Sequence, residues 1–279
     1  MSIKIGLTGS SGLIGSKFLE KFEKKYVLHK FVGNMTNLDH VNQFMKEDFN
    51  VVIHLASIIP NYDKNGIPLK QSFSENVIGT ENICKMASKH GKKVIFSSTQ
   101  RVYKIKNNVP INEMDQLEPD TDYGKSKLES EKKIQQYLSS ENYTILRISN
   151  IYGTYPIRPS IIDSIAESLL RDKPLQIGLC PETLRDYIYI DDVLVALELS
   201  LKRNGIFNIC YGHSFSIKEI IEIFENSCGI VPKISCGNYK PGNILLNNNK
   251  AINELNFKPK IELCKGIILT LNIIKKFLN

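Results

Sequence analysis

The sequence lacks three features that mark large classes of proteins. Its six cysteines form no CxxC pair and have no histidine at metal-binding spacing, so we expect reduced, mostly buried thiols and no metal site. No apolar stretch approaches the roughly 18 residues that a membrane span needs. The first predicted strand begins at Ile3, which leaves no room for a signal peptide. Together these absences predict a soluble, cytoplasmic protein.

The net charge of +7 is also not gathered into one patch. A nucleic-acid surface needs concentrated basic residues interleaved with aromatics. The sequence contains no such stretch, so we expect no nucleic-acid partner. The dispersed charge is typical of solvated helix faces, with attraction of a small anionic substrate as the alternative. The lysines are dispersed in helical pairs such as Lys24-Lys25, Lys132-Lys133 and Lys275-Lys276.

What the sequence does contain is an alternation of short apolar runs with amphipathic segments. This pattern is typical of βαβ units and a parallel sheet. The predicted strands are Ile3–Leu7, Tyr26–His29, Val51–Leu55, Val94–Ser97 and Thr144–Ile148. The first two helices carry apolar residues at helical spacing, Ile14, Phe18 and Phe22 in one and Val41, Phe44 and Met45 in the other. Two later helices are predicted to begin near Tyr123 and near Asp191.

After about residue 210 the pattern changes. Ser216 and Glu219 form a capping box that opens an amphipathic helix. A stretch rich in Pro, Gly and Asn follows over Pro232–Asn249, and short helices are predicted from there to the end. We predict a Rossmann-type doubly wound parallel sheet with a smaller mixed α/β C-terminal substrate lobe. The Rossmann domain is assigned to residues 1–158 and 184–212, and the lobe to residues 159–183 and 213–279.

A glycine-rich turn joins the first strand to the first helix. Gly9 permits a tight turn, Gly12 lets the backbone approach a pyrophosphate, and Gly15 permits close packing of the helix on the strand. The helix N-terminus then offers unpaired N–H groups to the phosphates. Because the motif sits between a strand and a helix, it predicts a dinucleotide site. The predicted cofactor contacts here are Gly9, Ser11, Gly12, Leu13, Ile14 and Gly15.

The second strand lacks the acidic residue that holds the ribose 2′-hydroxyl of NAD. His29 and Lys30 stand there instead and could meet a 2′-phosphate, so we expect NADP in preference to NAD. The alternative is that both side chains point into solvent. Further cofactor contacts are predicted at Asn34, Met35, Leu55, Ala56, Ser57, Asn76, Ser97 and Ser98.

Tyr123 and Lys127 lie four residues apart at the start of a predicted helix and so share one face. Free tyrosine has a pKa of about 10, too high for acid/base work at neutral pH. A neighbouring lysine cation favours the phenolate and lowers that pKa. A hydroxyl at the end of the preceding strand, around Ser97–Thr99, can hold a substrate oxygen for proton transfer.

In combination these residues resemble the extended short-chain dehydrogenase/reductases, particularly the nucleotide-sugar epimerase, dehydratase and reductase group. The resemblance covers nearly the whole chain. Besides the glycine turn, the matching segments are His54-Leu55-Ala56, Asn76-Val77-Ile78-Gly79-Thr80 opening a helix, Ser98-Thr99 with Val102-Tyr103, Tyr123 with Lys127, Leu146 to Gly153, Arg185 to Val193, and Pro241-Gly242.

The resemblance implies roles for five residues. Thr99 takes the catalytic Ser/Thr position, Tyr123 the acid/base position, and Lys127 also orients the nicotinamide ribose. Asn150 and Arg185 match positions that contact a substrate diphosphate, and a guanidinium suits phosphate oxygens. A nucleoside-diphosphate sugar as substrate is implied, as is a homodimer formed through the helices near Asn76 and Tyr123.

Departures from the family pattern narrow the expected reaction. The 4,6-dehydratases of the family carry Asp-Glu after the catalytic Thr, whereas Gln100 and Arg101 stand here, so the groups for water elimination are missing. Bifunctional 3,5-epimerase/reductases of the family carry Cys where this chain has Thr99, so that reaction is not expected either. The usual Gly after Tyr103 is replaced by Lys104.

Among the reactions of the family that it resembles, these departures leave hydride transfer at C4 of the sugar. We therefore expect a 4-keto-sugar-nucleotide reductase, a preference that rests on the missing ribose acid. A 4-epimerase with tightly bound NAD is the alternative. A ketoreductase for a non-nucleotide molecule and a non-catalytic NADP-sensing protein are less favoured.

Overall fold

The computed structural model describes residues 3–58, 71–105, 109–157 and 159–278. By compactness the chain divides into two units. The first comprises residues 1–104, 114–147 and 197–207, and the second comprises residues 105–113, 148–196 and 208–279. The functional domain boundaries expected from the sequence stay a prediction, because compactness alone does not say which residues bind which ligand.

The first unit is built from alternating strands and helices. Strand pairs β1–β2, β1–β3 and β3–β4 are parallel. The elements are β1 (Lys4–Thr8), α1 (Leu13–Phe22), β2 (Val27–Lys30), α2 (Leu38–Met45), β3 (Val51–His54), α3 (Gln71–Lys89), β4 (Lys93–Thr99), α4 (Asp122–Tyr137) and β5 (Tyr143–Ile148).

The second unit contains smaller sheets and further helices. Its elements, with two that span the division, are β6 (Asn150–Tyr152), α5 (Ile161–Leu170), β7 (Leu175–Leu179), β8 (Leu184–Tyr189), α6 (Ile190–Leu199), β9 (Gly205–Ile209), β10 (Ser214–Ser216), α7 (Ile217–Cys228), β11 (Ile234–Tyr239), α8 (Asn249–Leu255) and α9 (Leu263–Leu278). A three-stranded sheet has the order β10-β8-β6, and β11 pairs with β7. The predicted Rossmann-type α/β fold with additional mixed structure is confirmed.

The main sheet has the strand order β2-β1-β3-β4-β5-β9. Its central strands are buried on both sides, as continuous apolar runs in parallel sheets require. One part of the core packs α2, α3 and α4 against alternate residues of β3, β4 and β5, with Phe44, Ile83 and Phe96 among its members. This packing fixes α4 against β4, which matters because these two elements carry the predicted catalytic residues.

Element predictions hold best where the periodicity is strong. All five predicted strands are present within a residue or two of their expected bounds, and α4 and α6 begin at Asp122 and Ile190. The capping box of Ser216 and Glu219 is formed at the start of α7.

Two local predictions are wrong. Asn76 does not open a helix, because α3 already begins at Gln71 and the Asn76 side chain bonds to the preceding loop. The Pro/Gly/Asn-rich stretch, for which no element was predicted, contains β11, which pairs with β7 far away in sequence. The last helix is not short, because α9 runs over 16 residues and buries an apolar face that includes Leu263, Ile267 and Ile274.

Candidate active site

The turn between β1 and α1 requires glycine at two positions. Gly9 has a φ of +70°, and a Cβ there would lie 2.5 Å from the backbone nitrogen of Ala56. A Cβ on Gly15 would lie 2.1 Å from the carbonyl oxygen of Gly9. Gly12 stands at the N-cap of α1, where no side chain caps the helix. The turn is therefore held close to its neighbours, and the first N–H groups of α1 remain available to an anion.

A cleft of about 460 Å³ opens beside this turn, within the first unit. It brings together six of the predicted cofactor contacts, namely Gly9, Ser11, Asn34, Met35, Ala56 and Asn76. It does not include Gly12, Leu13, Ile14, Gly15, His29, Lys30, Leu55 or Ser57. Lining residues that sequence reasoning missed are Ser10, Phe31, Gly33, Thr36, Ile58 and Glu75. Phe31, Gly33 and Thr36 follow the end of β2, in the same stretch as the predicted Asn34 and Met35. Their place after that strand was the signal that could have found them.

His29 and Lys30 do not face this cleft. His29 Nδ1 lies 2.8 Å from the Glu47 carboxylate, and its ring lies 5.6 Å from that of Phe49. Lys30 is exposed at the end of β2. A carboxylate beside His29 disfavours a second anion there, so the geometry gives the predicted 2′-phosphate contact no support.

Asn76 holds the far wall of the cleft. Its side-chain oxygen accepts from the Ile58 N–H at 2.7 Å, and its amide donates to the Ile58 carbonyl at 2.7 Å. The amide also lies 3.4 Å from Ser126 Oγ, on α4 beside Lys127. One buried side chain thus joins the loop after β3 to both α3 and α4.

A chain of hydrogen bonds between uncharged groups lies next to the glycine turn and the cleft, which together are called the cofactor cradle below. Thr80 Oγ1 donates to the Asn76 carbonyl at 2.8 Å, so it must accept from His54 Nε2–H at 3.1 Å. His54 Nδ1 then accepts from Thr8 Oγ1 at 2.7 Å, and Thr8 Oγ1 accepts from the Ala56 N–H at 3.3 Å. Burial, with a smaller contribution from Lys127, lowers the pKa of His54 to about 3. Its ring is therefore neutral, with the proton on Nε2.

Helix α4 begins where it can meet the end of β4. Thr121 caps it by accepting from the Gly124 N–H at 3.1 Å. A Cβ on Gly124 would lie 2.3 Å from the Arg101 carbonyl oxygen, so only glycine allows this approach to the turn after β4. Gly124 was not predicted as a site residue. Its position directly after Tyr123 was the signal that could have found it.

The structure brings Tyr123, Lys127 and the end of β4 together. Lys127 is 2% exposed, and its Nζ donates to the Ser97 carbonyl at 2.8 Å. The same Nζ lies 5.8 Å from the centroid of the Tyr123 ring. Burial lowers the pKa of Lys127 to about 7, and the Glu131 carboxylate opposes that shift. Thr99 ends the strand, and its hydroxyl oxygen accepts from the Arg101 N–H at 3.3 Å, so its own proton can be donated elsewhere.

A buried ion pair lies one helical turn beyond Lys127. Glu131 and Arg147 are each 2% exposed, and Arg147 Nη2 donates to Glu131 Oε2 at 2.7 Å. Ser98 Oγ also donates to this carboxylate, and Arg147 Nη1 donates to the Tyr103 hydroxyl at 2.9 Å. From the sequence, Ser98 was predicted as a cofactor contact, Tyr103 and Arg147 appeared only as parts of motifs, and Glu131 was not predicted; in the structure the Ser98 hydroxyl is bonded to Glu131.

Comparison with known proteins identifies the family. The model of the NAD-dependent epimerase/dehydratase family matches residues 5–210. The chain belongs to this epimerase/dehydratase family. An Escherichia coli protein named dTDP-4-dehydro-6-deoxyglucose reductase is 30% identical over 264 residues, which cover 90% of this chain and 79% of that protein. A UDP-glucose 4-epimerase of Halalkalibacterium halodurans is 28% identical, with 91% and 90% covered.

A solved structure agrees with this assignment. The crystal structure of UDP-glucose 4-epimerase from Thermotoga maritima, determined with UDP-glucose, superposes with a TM-score of 0.87 at 25% identity. The match covers 99% of this chain and 100% of that chain. The predicted epimerase/dehydratase family and enzyme class are confirmed, and these relatives include both a reductase and epimerases.

Two residues that the family resemblance assigns to a substrate diphosphate lie in the second unit. Arg185 is 5% exposed, and its Nη1 donates to the Leu184 carbonyl at 2.7 Å and the Gly242 carbonyl at 3.1 Å. Asn150 donates to the Asp186 carbonyl at 2.8 Å. These bonds hold both side chains among backbone carbonyls of the same unit. Their role toward a diphosphate stays a prediction.

Among the helices described, none combines the length and apolarity that crossing a membrane requires. No cluster of three or more His, Cys, Asp or Glu side chains within residues 3–58, 71–105, 109–157 and 159–278 is placed to hold a metal ion. Cys84, Cys180 and Cys210 are buried thiols.

Proposed function

We propose that this member of the epimerase/dehydratase family is an NAD(P)-dependent 4-keto reductase of a nucleoside-diphosphate sugar. The observation that carries the proposal is the buried Lys127 beside the Tyr123 ring at the carboxyl end of β4. Gln100 and Arg101 follow Thr99 in place of the acid and base of an elimination, which supports hydride transfer without loss of water. The substrate class rests on the relatives, which are named for UDP- and dTDP-sugars.

The residues present fit a dinucleotide. The turn at Gly9 and Gly15 leaves no room for side chains, and α1 presents its first N–H groups there, as a pyrophosphate requires. Asn34 and Met35 line the cleft next to this turn and would hold the adenosine end. When bound, the reduced cofactor supplies the hydride.

Proton transfer falls to the residues of β4 and α4. The Thr99 hydroxyl donates a hydrogen bond to the substrate oxygen and holds it near Tyr123. The Tyr123 hydroxyl gives its proton to the C4 oxygen as the carbonyl is reduced. The Lys127 cation stabilises the phenolate that remains, and its bond to the Ser97 carbonyl fixes it in place.

Replacement of the acid tests this assignment. Tyr123→Phe should reduce turnover about 10²–10⁴-fold while the fold is unchanged, because a general acid typically contributes that much. Tyr137→Phe is the matched control on the same helix, since the Tyr137 hydroxyl bonds to Glu81 instead. Full activity in the Tyr123 variant would refute the proposal.

The 4-epimerase alternative fits the same geometry equally well. It predicts that NAD stays bound through purification and that no reduced cofactor is consumed. Following the absorbance of reduced nicotinamide during turnover of UDP- and dTDP-sugars, together with mass spectrometry of co-purified ligands, separates the two functions. Steady consumption supports the reductase, and turnover without consumption supports the epimerase.

For the cofactor we propose binding without selection for a 2′-phosphate. The NADP preference predicted from the sequence depends on His29 and Lys30, and neither lines the cleft. Measured dissociation constants for NAD and NADP should therefore differ by less than about tenfold, or about 1.4 kcal/mol. A stronger preference for NADP that is lost in Lys30→Ala would restore the sequence-based prediction.

We also propose a homodimer formed through α3 and α4. Two apolar side chains on α3, Phe73 and Ile78, are exposed in the single chain. Light scattering of the purified protein should give twice the chain mass, and Ile78→Lys should lower it. A monomer at all concentrations would rule out this assembly.

A further inference from the structure

Tyr123, Lys127 and Glu131 follow one another at intervals of one helical turn on α4. Residues at this spacing share a face of the helix. Lys127 and Glu131 are both buried, so the carboxylate and the ammonium interact in a medium that screens them little. The proposed mechanism uses Tyr123 and Lys127 and leaves Glu131 without a role.

The position of the Glu131 carboxylate is fixed from two strands. Ser98 Oγ on β4 donates to Oε1, and Arg147 on β5 donates from Nε at 3.1 Å to Oε1 and from Nη2 at 2.7 Å to Oε2. Arg147 is itself held by the Tyr103 hydroxyl, at 2.9 Å. Although burial disfavours its charge, the carboxylate raises the pKa of Arg147, so the guanidinium stays protonated.

Lys127 has little else to stabilise its charge. Its other neighbours are the Ser97 carbonyl and the Phe96 ring, whose centroid lies 4.6 Å from Nζ. The charged and titratable groups described around it are Tyr123 and Glu131 on α4, His54 on β3, and Arg147 behind Glu131 on β5. His54 is neutral at physiological pH, and Arg147 repels another cation. Glu131 is thus the one anion among these groups.

We propose, on the basis of the function proposed above, that Glu131 is a positioning residue whose fixed carboxylate keeps the buried Lys127 protonated. Arg147 and Ser98 hold that carboxylate on the helical turn that follows Lys127. The competing explanation is that the ion pair only attaches α4 to β4 and β5. The two explanations differ in what they predict for the proton affinity of Lys127.

The decisive variant removes both charges of the ion pair. The double variant Glu131→Gln with Arg147→Met removes both charges of the pair, so neither partner is left buried without the other and the fold is spared. Glu131, rather than Arg147, is the charge that acts on the pKa of Lys127, so its loss dominates. The pKa of Lys127, followed by the side-chain carbon resonance that disappears in Lys127→Arg, should fall by about 1 from its value of about 7.

Glu129→Gln is the matched control for this titration. It removes the same charge from the same helix, but Glu129 is paired with Lys132 on the surface. The pKa of Lys127 should not change in it. A folded double variant in which Lys127 titrates as in the wild type would overturn the proposal and leave the ion pair a purely structural role.

Turnover gives a second measurement. Because the rate requires the Lys127 cation, the alkaline limb of the pH–rate profile should move down by about one pH unit in the double variant. The resonance titration needs no substrate and is therefore independent of the proposed function. If no nucleotide sugar is turned over but Lys127 titrates lower in the double variant, the reductase assignment fails and the role of Glu131 stands.

Discussion

Two buried polar networks lie at the carboxyl ends of strands in the same sheet, and only one of them carries charge. The neutral network joins β1, β3 and α3 and consists of Thr8, His54, Thr80 and Asn76. The charged network joins β4, β5 and α4 and consists of Ser98, Tyr103, Lys127, Glu131 and Arg147. The neutral network adjoins the glycine turn, and the charged network adjoins Thr99 and Tyr123.

The difference matches two proposed tasks: the neutral network would hold the cofactor cradle, and the charged network would serve proton transfer. In the neutral network each donor has one acceptor, and His54 stays uncharged over the physiological range because burial lowers its pKa to about 3. Its geometry therefore does not change with pH. The charged network includes Lys127, whose pKa of about 7 lies within that range. A change of pH thus alters the proposed acid/base site and leaves the proposed cofactor cradle intact.

The largest expected effect concerns the charged network. Arg147→Met removes the partner of a carboxylate that has no access to water, so the free energy of unfolding should fall by about 3–5 kcal/mol. Chemical unfolding followed by circular dichroism measures the loss. Glu129→Gln, which breaks an exposed pair on the same helix, should change stability little.

A fall in stability as small as that of the control would mean that water reaches Glu131 in solution. The charged network would then behave as a solvated ion pair, and its contrast with the neutral network as a second buried network would lose its physical basis.

A smaller effect is expected in the neutral network. His54→Leu leaves the Thr8 hydroxyl without its acceptor and Thr80 without its donor, at a cost of about 1–3 kcal/mol. The affinity for the dinucleotide should fall as well, because Thr8 precedes the glycine turn. His213→Leu, at an exposed position, is the control.

The pH–rate profile of His54→Leu also tests the difference between the neutral and the charged network. Because His54 carries no charge near neutral pH, its removal should leave the alkaline limb unchanged, unlike removal of Glu131 and Arg147 together. A shift of that limb in His54→Leu would show that the two networks are coupled.

The sequence was sufficient for features that are local along the chain. The glycine turn, the strand ends and the pair Tyr123 and Lys127 depend on spacing within a few residues. The structure forms the close turn at Gly9 and Gly15, and it places Lys127 beside the Tyr123 ring. Family resemblance added Thr99 by its place at the end of β4. In the stretch after β2, Asn34 and Met35 were predicted but Phe31, Gly33 and Thr36 were missed, because their place in the cleft depends on how the chain turns beyond the strand.

What could not be predicted depends on partners far apart in sequence. His54 meets Thr8 across 46 residues and Thr80 across 26 residues. Glu131 stands on a helix with many charged residues, where a carboxylate four residues after a lysine is typical of an exposed ion pair. Only the packing of α4 on β4 and β5 reveals that it is buried against Arg147.

A further expected effect, spread over a range of pH, is the pH dependence that His54 gives to stability. Its pKa is 6.5 in the unfolded chain and about 3 in the folded protein, so between these values the unfolded state binds one more proton. The contribution of neutral His54 is therefore complete above about pH 6.5 and is lost as the pH falls toward 3. Over this window it should lower the free energy of unfolding by about 1.4 kcal/mol per pH unit.

Subtracting the His54→Leu curve from that of the wild type removes the contributions of all other groups, because both proteins share them. Urea unfolding between about pH 6 and about pH 4 should show a difference with this slope. A flat difference would mean that His54 gains its proton in the folded state, with the Thr8 and Thr80 bonds rearranged to accept it. Both networks would then titrate, and the cradle would no longer be independent of pH.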